Sequence, residues 1–103
     1  MTHRNRSFAA LADPTRRRVL ETLVSGPKAV GEIAARFPVS RPAISQHLKI
    51  LKDAGLVADR AEGARRVYRI DPTGLGPLRA WLDQFSDEAL EAFKAEIEKE
   101  AGE

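Results

Sequence analysis

Cysteine is absent from the 103 residues, and its absence excludes disulfide bonds, thiolate metal sites and thiol redox sensing. Histidine is scarce, with only His3 and His47, so a metal site built from several imidazoles is disfavoured. No apolar run approaches the ~20 residues that a membrane-spanning helix needs, and no signal-peptide core follows residues 1–6. We therefore expect a cytoplasmic protein without a bound metal or cofactor.

Positive and negative charges are unevenly distributed along the chain. Residues 1–82 contain 15 Lys and Arg against 7 Asp and Glu, whereas residues 83–103 contain 2 against 8. A basic body with an acidic end indicates surfaces that face different partners, although a solvated surface of uneven charge is the plainer interpretation. The length predicts one small domain over residues 1–103, and a core of this size gains stability by burying surface against a second copy.

Helix start signals recur along the sequence. Three of them combine an N-cap residue with a proline in the first turn: Asp13 with Pro14, Ser40 with Pro42, and Asp71 with Pro72. Apolar residues then recur at helical spacing: Val19, Leu20, Leu23 and Val24; Ile33, Ala34 and Phe37, in a helix over about 30–37; Ile44, Leu48 and Leu51, before a helix-ending Gly55; Leu75, Leu78, Trp81, Leu82 and Phe85; and Leu90, Phe93 and Ile97, in a last helix capped by Ser86.

The period of the pattern changes after Gly55. Residues 56–60 and 66–70 are typical of strands, and residues 61–65 between them of a turn, so we expect a β-hairpin. The fold class is therefore predicted as mainly α with a small β-hairpin (α+β). The architecture is a winged helix-turn-helix, with the helix-turn-helix over about 30–54, the wing over about 56–70 and C-terminal helices over about 72–101.

The second helix of the helix-turn-helix has a polar side that suits DNA. With Ile44 at the centre of the buried face, a step of about 100° per residue places Pro42, Ser45, Gln46 and Lys49 opposite, with Arg41 at the edge. Arg can bond guanine, Gln can bond adenine, and Ser can approach either. Lys49 and Lys52 are better placed for phosphates. The alternative is an amphipathic helix whose polar face only contacts water.

The predicted wing carries arginines around its turn at Glu62 and Gly63. Such arginines can lie beside a DNA backbone or in a narrow minor groove, or they can simply keep the hairpin soluble. Together with the helix they favour DNA binding. The predicted DNA-binding residues are Ser40, Arg41, Pro42, Ser45, Gln46, Lys49, Lys52, Arg60, Arg65 and Arg66.

Other polar residues point to no enzyme. Ser45 and His47 are two positions apart on a helix, so they point about 200° apart and cannot form a nucleophile–base pair. We expect His47 to pack beside Leu51 with one nitrogen bonded nearby, or to touch DNA backbone. Arg16, Arg17 and Arg18, at a helix start, are interpreted as phosphate contacts or as a solvated face. No catalytic residues are predicted.

Three segments in this order resemble the ArsR/SmtB family of bacterial winged-helix repressors over roughly residues 8–85. They are Phe8-Ala9-Ala10-Leu11-Ala12-Asp13-Pro14-Thr15-Arg16, Val30-Gly31-Glu32-Ile33-Ala34, and Ser45-Gln46-His47-Leu48-Lys49-Ile50-Leu51-Lys52-Asp53-Ala54-Gly55-Leu56-Val57, followed by Arg66-Val67-Tyr68-Arg69-Ile70 at the wing. The resemblance implies a homodimer that binds operator DNA and blocks transcription, often of its own operon. It also implies a dimer interface of the first and C-terminal helices, with Phe8, Leu11, Trp81, Leu82 and Phe85 as its apolar residues here. The alternative is that these residues only complete the monomer core.

The sequence also departs from the metal-sensing members of that family. Those members carry a cysteine pair on the helix before the recognition helix, or Asp and His ligands on the C-terminal helix. Here the first position reads Val30-Gly31-Glu32-Ile33, and the C-terminal helix has Asp83 and Glu residues but no His. The chain therefore resembles the metal-independent branch, and no inducer is implied. The alternative function is a winged-helix module that docks a protein through its acidic last helix.

Overall fold

The computed structural model describes residues 3–85 and 87–102. Within them the order of elements is α1 (His3–Leu11), α2 (Pro14–Thr22), β1 (Lys28–Ala29), α3 (Val30–Ala34), α4 (Arg41–Asp53), β2 (Val57–Glu62), β3 (Arg65–Ile70), α5 (Pro72–Leu82) and α6 (Asp87–Gly102). The predicted class is confirmed: helices dominate, and α3, α4 and the β2–β3 hairpin form a winged helix-turn-helix. The expected cap of the last helix, Ser86, lies outside the described residues.

The predicted N-caps at three helix starts are confirmed. The side chain of Asp13 accepts a hydrogen bond from the amide of Arg16, at the start of α2. Ser40 does the same for Ala43 in α4, and Asp71 caps α5. Each cap satisfies one of the amides that a helix start leaves without a partner, which is worth about 1 kcal/mol.

The buried stripe of α4 is at the centre of the core. Ile44, Leu48 and Leu51 are fully buried, as the helical spacing predicted. They pack among side chains from the other elements: Val19, Leu23, Ile33, Leu56, Val57 and Tyr68. Because one side of α4 is buried in this way, its opposite side must face outward.

The sheet has one strand more than the sequence predicted. Its order is β1-β3-β2, and the unpredicted β1 pairs Lys28 with Tyr68 and Ala29 with Val67. The hairpin strands are also longer than expected, because Glu62 pairs with Arg65 and the turn contains only Gly63 and Ala64. Gly63, the first of the two turn residues, has φ of +62°, whereas Ala64 has no positive φ. A positive φ at the first turn residue alone is typical of a type II′ turn. The predicted five-residue turn is therefore wrong.

Two predicted helix ends are also corrected. The third helix stops at Ala34 instead of Phe37. Phe37 precedes Pro38, and a residue before proline disfavours helical backbone. The chain therefore leaves the helix in single turns. In α2 the helix ends at Thr22, so Val24 leaves the apolar stripe and is 75% exposed.

Two glycines fix the position of the C-terminal helices against α4. Gly55, just after α4, has φ of +80°, as its predicted role of helix-ending residue requires. Gly74, in the first turn of α5, lies so close that a Cβ there would overlap the carbonyl oxygen of Gly55. The start of α5 is thus seated directly on the end of the recognition helix.

Candidate nucleic-acid interface

The outer face of α4 presents the polar residues that the sequence placed there. Arg41, Pro42, Ser45, Gln46 and Lys49 are all exposed. The oxygen of Ser40 caps the helix by accepting a hydrogen bond from Ala43 at 3.2 Å, which leaves its hydroxyl hydrogen to donate outward. The face is therefore a row of donors and acceptors on a helix that the core holds rigidly.

Arg41 packs against α3 without an acidic partner in the described part of the chain. Its guanidinium lies over Gly31 of α3, where the nearest nitrogen would be 3.7 Å from an added Cβ. Within the described residues Arg41 forms no hydrogen bond and no ion pair. All five N–H donors of this side chain are thus available to an acceptor such as a guanine edge.

Lys49 forms an ion pair within α4. Its Nζ lies 2.9 Å from Oδ2 of Asp53, one turn further on, and both side chains are largely exposed. Exposed pairs of this spacing contribute about 0.3–0.5 kcal/mol. A phosphate can therefore compete readily for this ammonium group.

Lys52, in the last turn of α4, joins this helix to the wing. Its Nζ is 2.9 Å from Oδ1 of Asp59 on β2, and Arg66 on β3 binds Oδ2 of the same carboxylate at 3.2 Å. The hydrogen bond from Lys52 lowers the pKa of Asp59 despite its burial, and the same bond raises the pKa of Lys52. Lys52 and Asp59 are therefore both charged at neutral pH.

The other wing cations also have acidic neighbours. Arg60 pairs with Glu62 on the same strand at 2.7 Å. Arg65 reaches Glu32 of α3 at 3.4 Å. All four side chains are substantially exposed, so these pairs are weak in water and screened by salt. The wing is less positive than its arginines alone suggest.

These acidic partners of the predicted DNA-binding cations were not predicted from the sequence. The pair of Lys49 and Asp53 could have been found, because positions four apart on a helix are neighbours. Glu62 stands two residues from Arg60, on the same side of a strand. The ion pairs of Asp59 and Glu32 form because separate elements pack together, and no local sequence pattern predicts such contacts.

The arginines at the start of α2 hold the end of α1 in place. Arg16 donates from Nε to the carbonyl oxygen of Ala10 at 2.7 Å, and Arg17 donates to that of Leu11 at 2.7 Å. Both therefore satisfy carbonyls that the end of a helix leaves unpaired, a role that the sequence did not predict. Arg18 lies over the Phe37 ring, 5.4 Å from its centroid.

His47 packs at the edge of the buried side of α4. Its Nδ1 is buried and has no hydrogen-bond partner in the part of the chain that the structure describes, so the expectation of a bonded ring nitrogen is wrong for Nδ1. The imidazole is near Asp13. Burial raises the pKa of Asp13, but the amide and guanidinium of Arg16, with a smaller effect of His47, bring it below its ordinary value.

An apolar surface joins α1 and α5 on another side of the molecule. Trp81 makes edge-to-face contacts with Phe8 and with Phe85, each with ring centroids 4.9 Å apart. Leu11, Leu82 and both Phe8 and Trp81 are only partly buried, and Phe85 is 44% exposed. The monomer therefore leaves the predicted dimer residues partly open.

An open, mainly apolar groove lies along α5, beside Leu90 of α6. Its volume is about 630 Å³, and its lining includes Leu75, Leu78, Leu82 and Leu90.

Among residues 3–85 and 87–102, no group of three or more acidic or histidine side chains is placed to hold a metal ion. In the same ranges no helix is long and apolar enough to cross a membrane.

Comparisons with known proteins agree with this geometry. A family model described as "Bacterial regulatory protein, arsR family" matches residues 13–59. The HTH-type transcriptional regulator Rv2034 of Mycobacterium tuberculosis is 56% identical over 96 residues, covering 93% of this chain and 90% of that protein. The transcriptional repressor SdpR of Bacillus subtilis is 40% identical over 81 residues, or 79% of this chain and 90% of that protein.

A solved structure is similar over most of the chain. It is the solution structure of the homodimeric winged helix-turn-helix DNA-binding domain (fragment 1–100) Mb0332 from Mycobacterium bovis, a possible ArsR-family transcriptional regulator. It superposes with a TM-score of 0.70 at 36% identity and covers 87% of this chain and 83% of that one. These relatives are transcriptional regulators and not enzymes. The chain belongs to the arsR family of bacterial regulatory proteins.

Proposed function

We propose that this transcriptional regulator is a homodimer that binds a specific duplex DNA and represses transcription by occupying it. The observation that carries the proposal is the outer face of α4. Arg41, Ser45, Gln46 and Lys49 are exposed there, opposite a stripe that is fully buried. A rigid helix with such a face fits the major groove.

The roles of the predicted residues follow from their chemistry and position. Arg41, Ser45 and Gln46 would contact base edges, with Pro42 shaping the approach of the helix start. Ser40 and the cations around them would contact phosphates, which fix register without reading sequence: Lys49, Lys52, Arg60, Arg65 and Arg66. Neutralisation of phosphates by these cations would release DNA counterions, which makes the binding sensitive to salt.

The apolar surface of α1 and α5 supports the homodimer. Phe8, Leu11, Trp81, Leu82 and Phe85 would pack against the same residues of a second copy about a two-fold axis. The exposed apolar surface continues to Phe93 of α6, which is 48% exposed. In such a dimer the two α4 helices enter major grooves about one helical turn apart, on an approximate inverted repeat.

Repression would need no chemistry from the protein, because a bound dimer excludes polymerase. The chain would act as one winged helix-turn-helix domain in the cytoplasm, where the chromosome is. Its own promoter is a natural first target to test for autoregulation. We propose no metal or cofactor as part of this function.

A second candidate function is docking of a protein through α6. The observation that favours it is that α6 combines exposed acidic residues with the exposed Phe93. Dependence on duplex DNA separates the two functions, because a docking module has no reason to enrich one DNA sequence.

The test is selection of duplexes from a random pool by the purified protein. We expect an enriched inverted repeat with half-sites roughly 10 bp apart, centre to centre. The double variant Arg41→Ala/Gln46→Ala should abolish enrichment. Lys94→Ala, which removes an exposed cation of α6, should leave it intact. A pool without any enriched sequence would contradict sequence-specific binding and favour docking.

A further inference from the structure

Asp59 is an acidic residue placed among the cations of the predicted DNA-binding surface. Its side chain is only 8% exposed, and each oxygen has its own partner: Lys52 of α4 at 2.9 Å and Arg66 of β3 at 3.2 Å. A carboxylate in this position reduces the attraction of the surface for DNA. A role for Asp59 in DNA binding must therefore be something other than electrostatic attraction of DNA.

The two ion pairs connect three elements. Asp59 belongs to β2 and stands opposite the buried Tyr68 of β3, while Lys52 is in the last turn of α4. By contrast, Asp53 pairs with Lys49 inside the same helix, and its side chain is 64% exposed. Asp59 thus ties the recognition helix to both strands of the wing, whereas Asp53 ties α4 only to itself.

Burial makes the Asp59 pairs directional. A carboxylate shielded from water, with both oxygens bonded to cations, tolerates little displacement of its partners. Lys52 and Arg66 remain half-exposed beyond it, so their remaining N–H donors face outward. The separation between these two cations is therefore set by one side chain.

We infer that Asp59 is a positioning residue for DNA recognition: it holds Lys52 and Arg66 so that the recognition helix and the wing grip one duplex in a single register. The inference rests on the proposed DNA-binding function and assigns a role to a residue that does not itself touch DNA. Loss of Asp59 removes neither cation, but Lys52 and Arg66 are then no longer held at a fixed separation.

Positioning and simple electrostatics predict opposite results for Asp59→Asn. If Asp59 only offsets positive charge, its removal tightens binding to every duplex. If it positions the two cations, binding to the selected duplex weakens by about tenfold, the effect of losing one hydrogen bond between charged groups. Binding to a scrambled duplex, which needs no fixed register, stays equal or becomes tighter.

The experiment measures fluorescence anisotropy on the selected duplex and on a scrambled duplex of the same composition. Asp59→Asn should lower the ratio of the two affinities, and so should Asp59→Glu, which keeps the charge but displaces the two cations. Asp53→Asn is the matched control, because it removes an acid that pairs with a lysine of the same helix. We expect its ratio to equal that of the wild type.

A second pair of variants gives the same test if Asp59→Asn does not fold. Lys52→Gln removes the link from α4 to the wing and should lower the ratio, whereas Lys49→Gln should weaken binding to both duplexes equally. An unchanged ratio in Asp59→Asn, or equal losses on both duplexes in Lys52→Gln, would overturn the positioning role alone. Absence of any selected duplex for the wild type would overturn the proposed function itself.

Discussion

Gly74 is the position at which a single added methyl group should cost the most. A Cβ there would overlap the carbonyl oxygen of Gly55, a backbone atom that cannot rotate away, so Gly74→Ala must displace α5 from the end of α4. Overpacking of this kind costs about 1–3 kcal/mol, more than the ~0.5–1 kcal/mol that alanine gains over glycine in a helix. For a chain of this size we expect the melting temperature to fall by about 5–15 °C.

Gly76, two residues further along α5, provides the matched control. No atom beyond the neighbouring residues and the helix's own backbone lies within 4 Å of a Cβ added there. Because Gly76 precedes Pro77, contact of that Cβ with the proline ring offsets the gain in helix propensity, and Gly76→Ala should leave the melting temperature nearly unchanged. The assay is thermal unfolding followed by circular dichroism, at one protein concentration because dimerisation shifts apparent stability. A Gly74→Ala variant that melts at or above Gly76→Ala would refute the close approach of α5 to Gly55.

Three further results are expected. Arg41→Ala should cost about 1–3 kcal/mol on the selected duplex and relax preference at one base pair; equal loss on a scrambled duplex in the anisotropy assay would assign Arg41 to a phosphate. Asp59 has a pKa below 3.8, so its stabilisation is present above that pH and lost as pH falls through the lowered value. The difference in unfolding free energy between wild type and Asp59→Asn, from denaturant titrations, should therefore shrink below pH ~4, and a difference that persists there contradicts the ion pairs. Phe85→Glu, at a 44% exposed position, should yield a folded monomer in sedimentation equilibrium; an intact dimer would place the interface elsewhere.

The features that sequence reasoning predicted well are those decided by neighbouring residues. The Asp13 cap binds an amide three positions away, as does the Ser40 cap. The outer face of α4 follows from one repeat angle applied to Ile44, Leu48 and Leu51. Because both partners in each case lie within one or two helical turns, no knowledge of the tertiary packing was needed.

The features that it missed are decided by contacts between distant segments. β1 exists only because Lys28 and Ala29 meet β3, and two residues carry no strand pattern of their own. The bond from Arg16 of α2 to the carbonyl oxygen of Ala10 in α1 joins two helices, and no local pattern predicts it. Asp59 looks like one more acidic residue in a strand, and its function as a link between α4 and the wing depends on burial that only the packed structure provides.

Sequence-specific binding through α4 and the wing is tested most directly by the salt dependence of binding to the selected duplex and to its scrambled counterpart. With the five cations proposed to contact phosphates in each protomer of the proposed dimer, we expect a log–log slope of about −5 to −9. The selected duplex should bind roughly 10³-fold or more tightly than the scrambled one at physiological salt. Equal and weak binding to both duplexes across the series would contradict the proposed mode of DNA recognition.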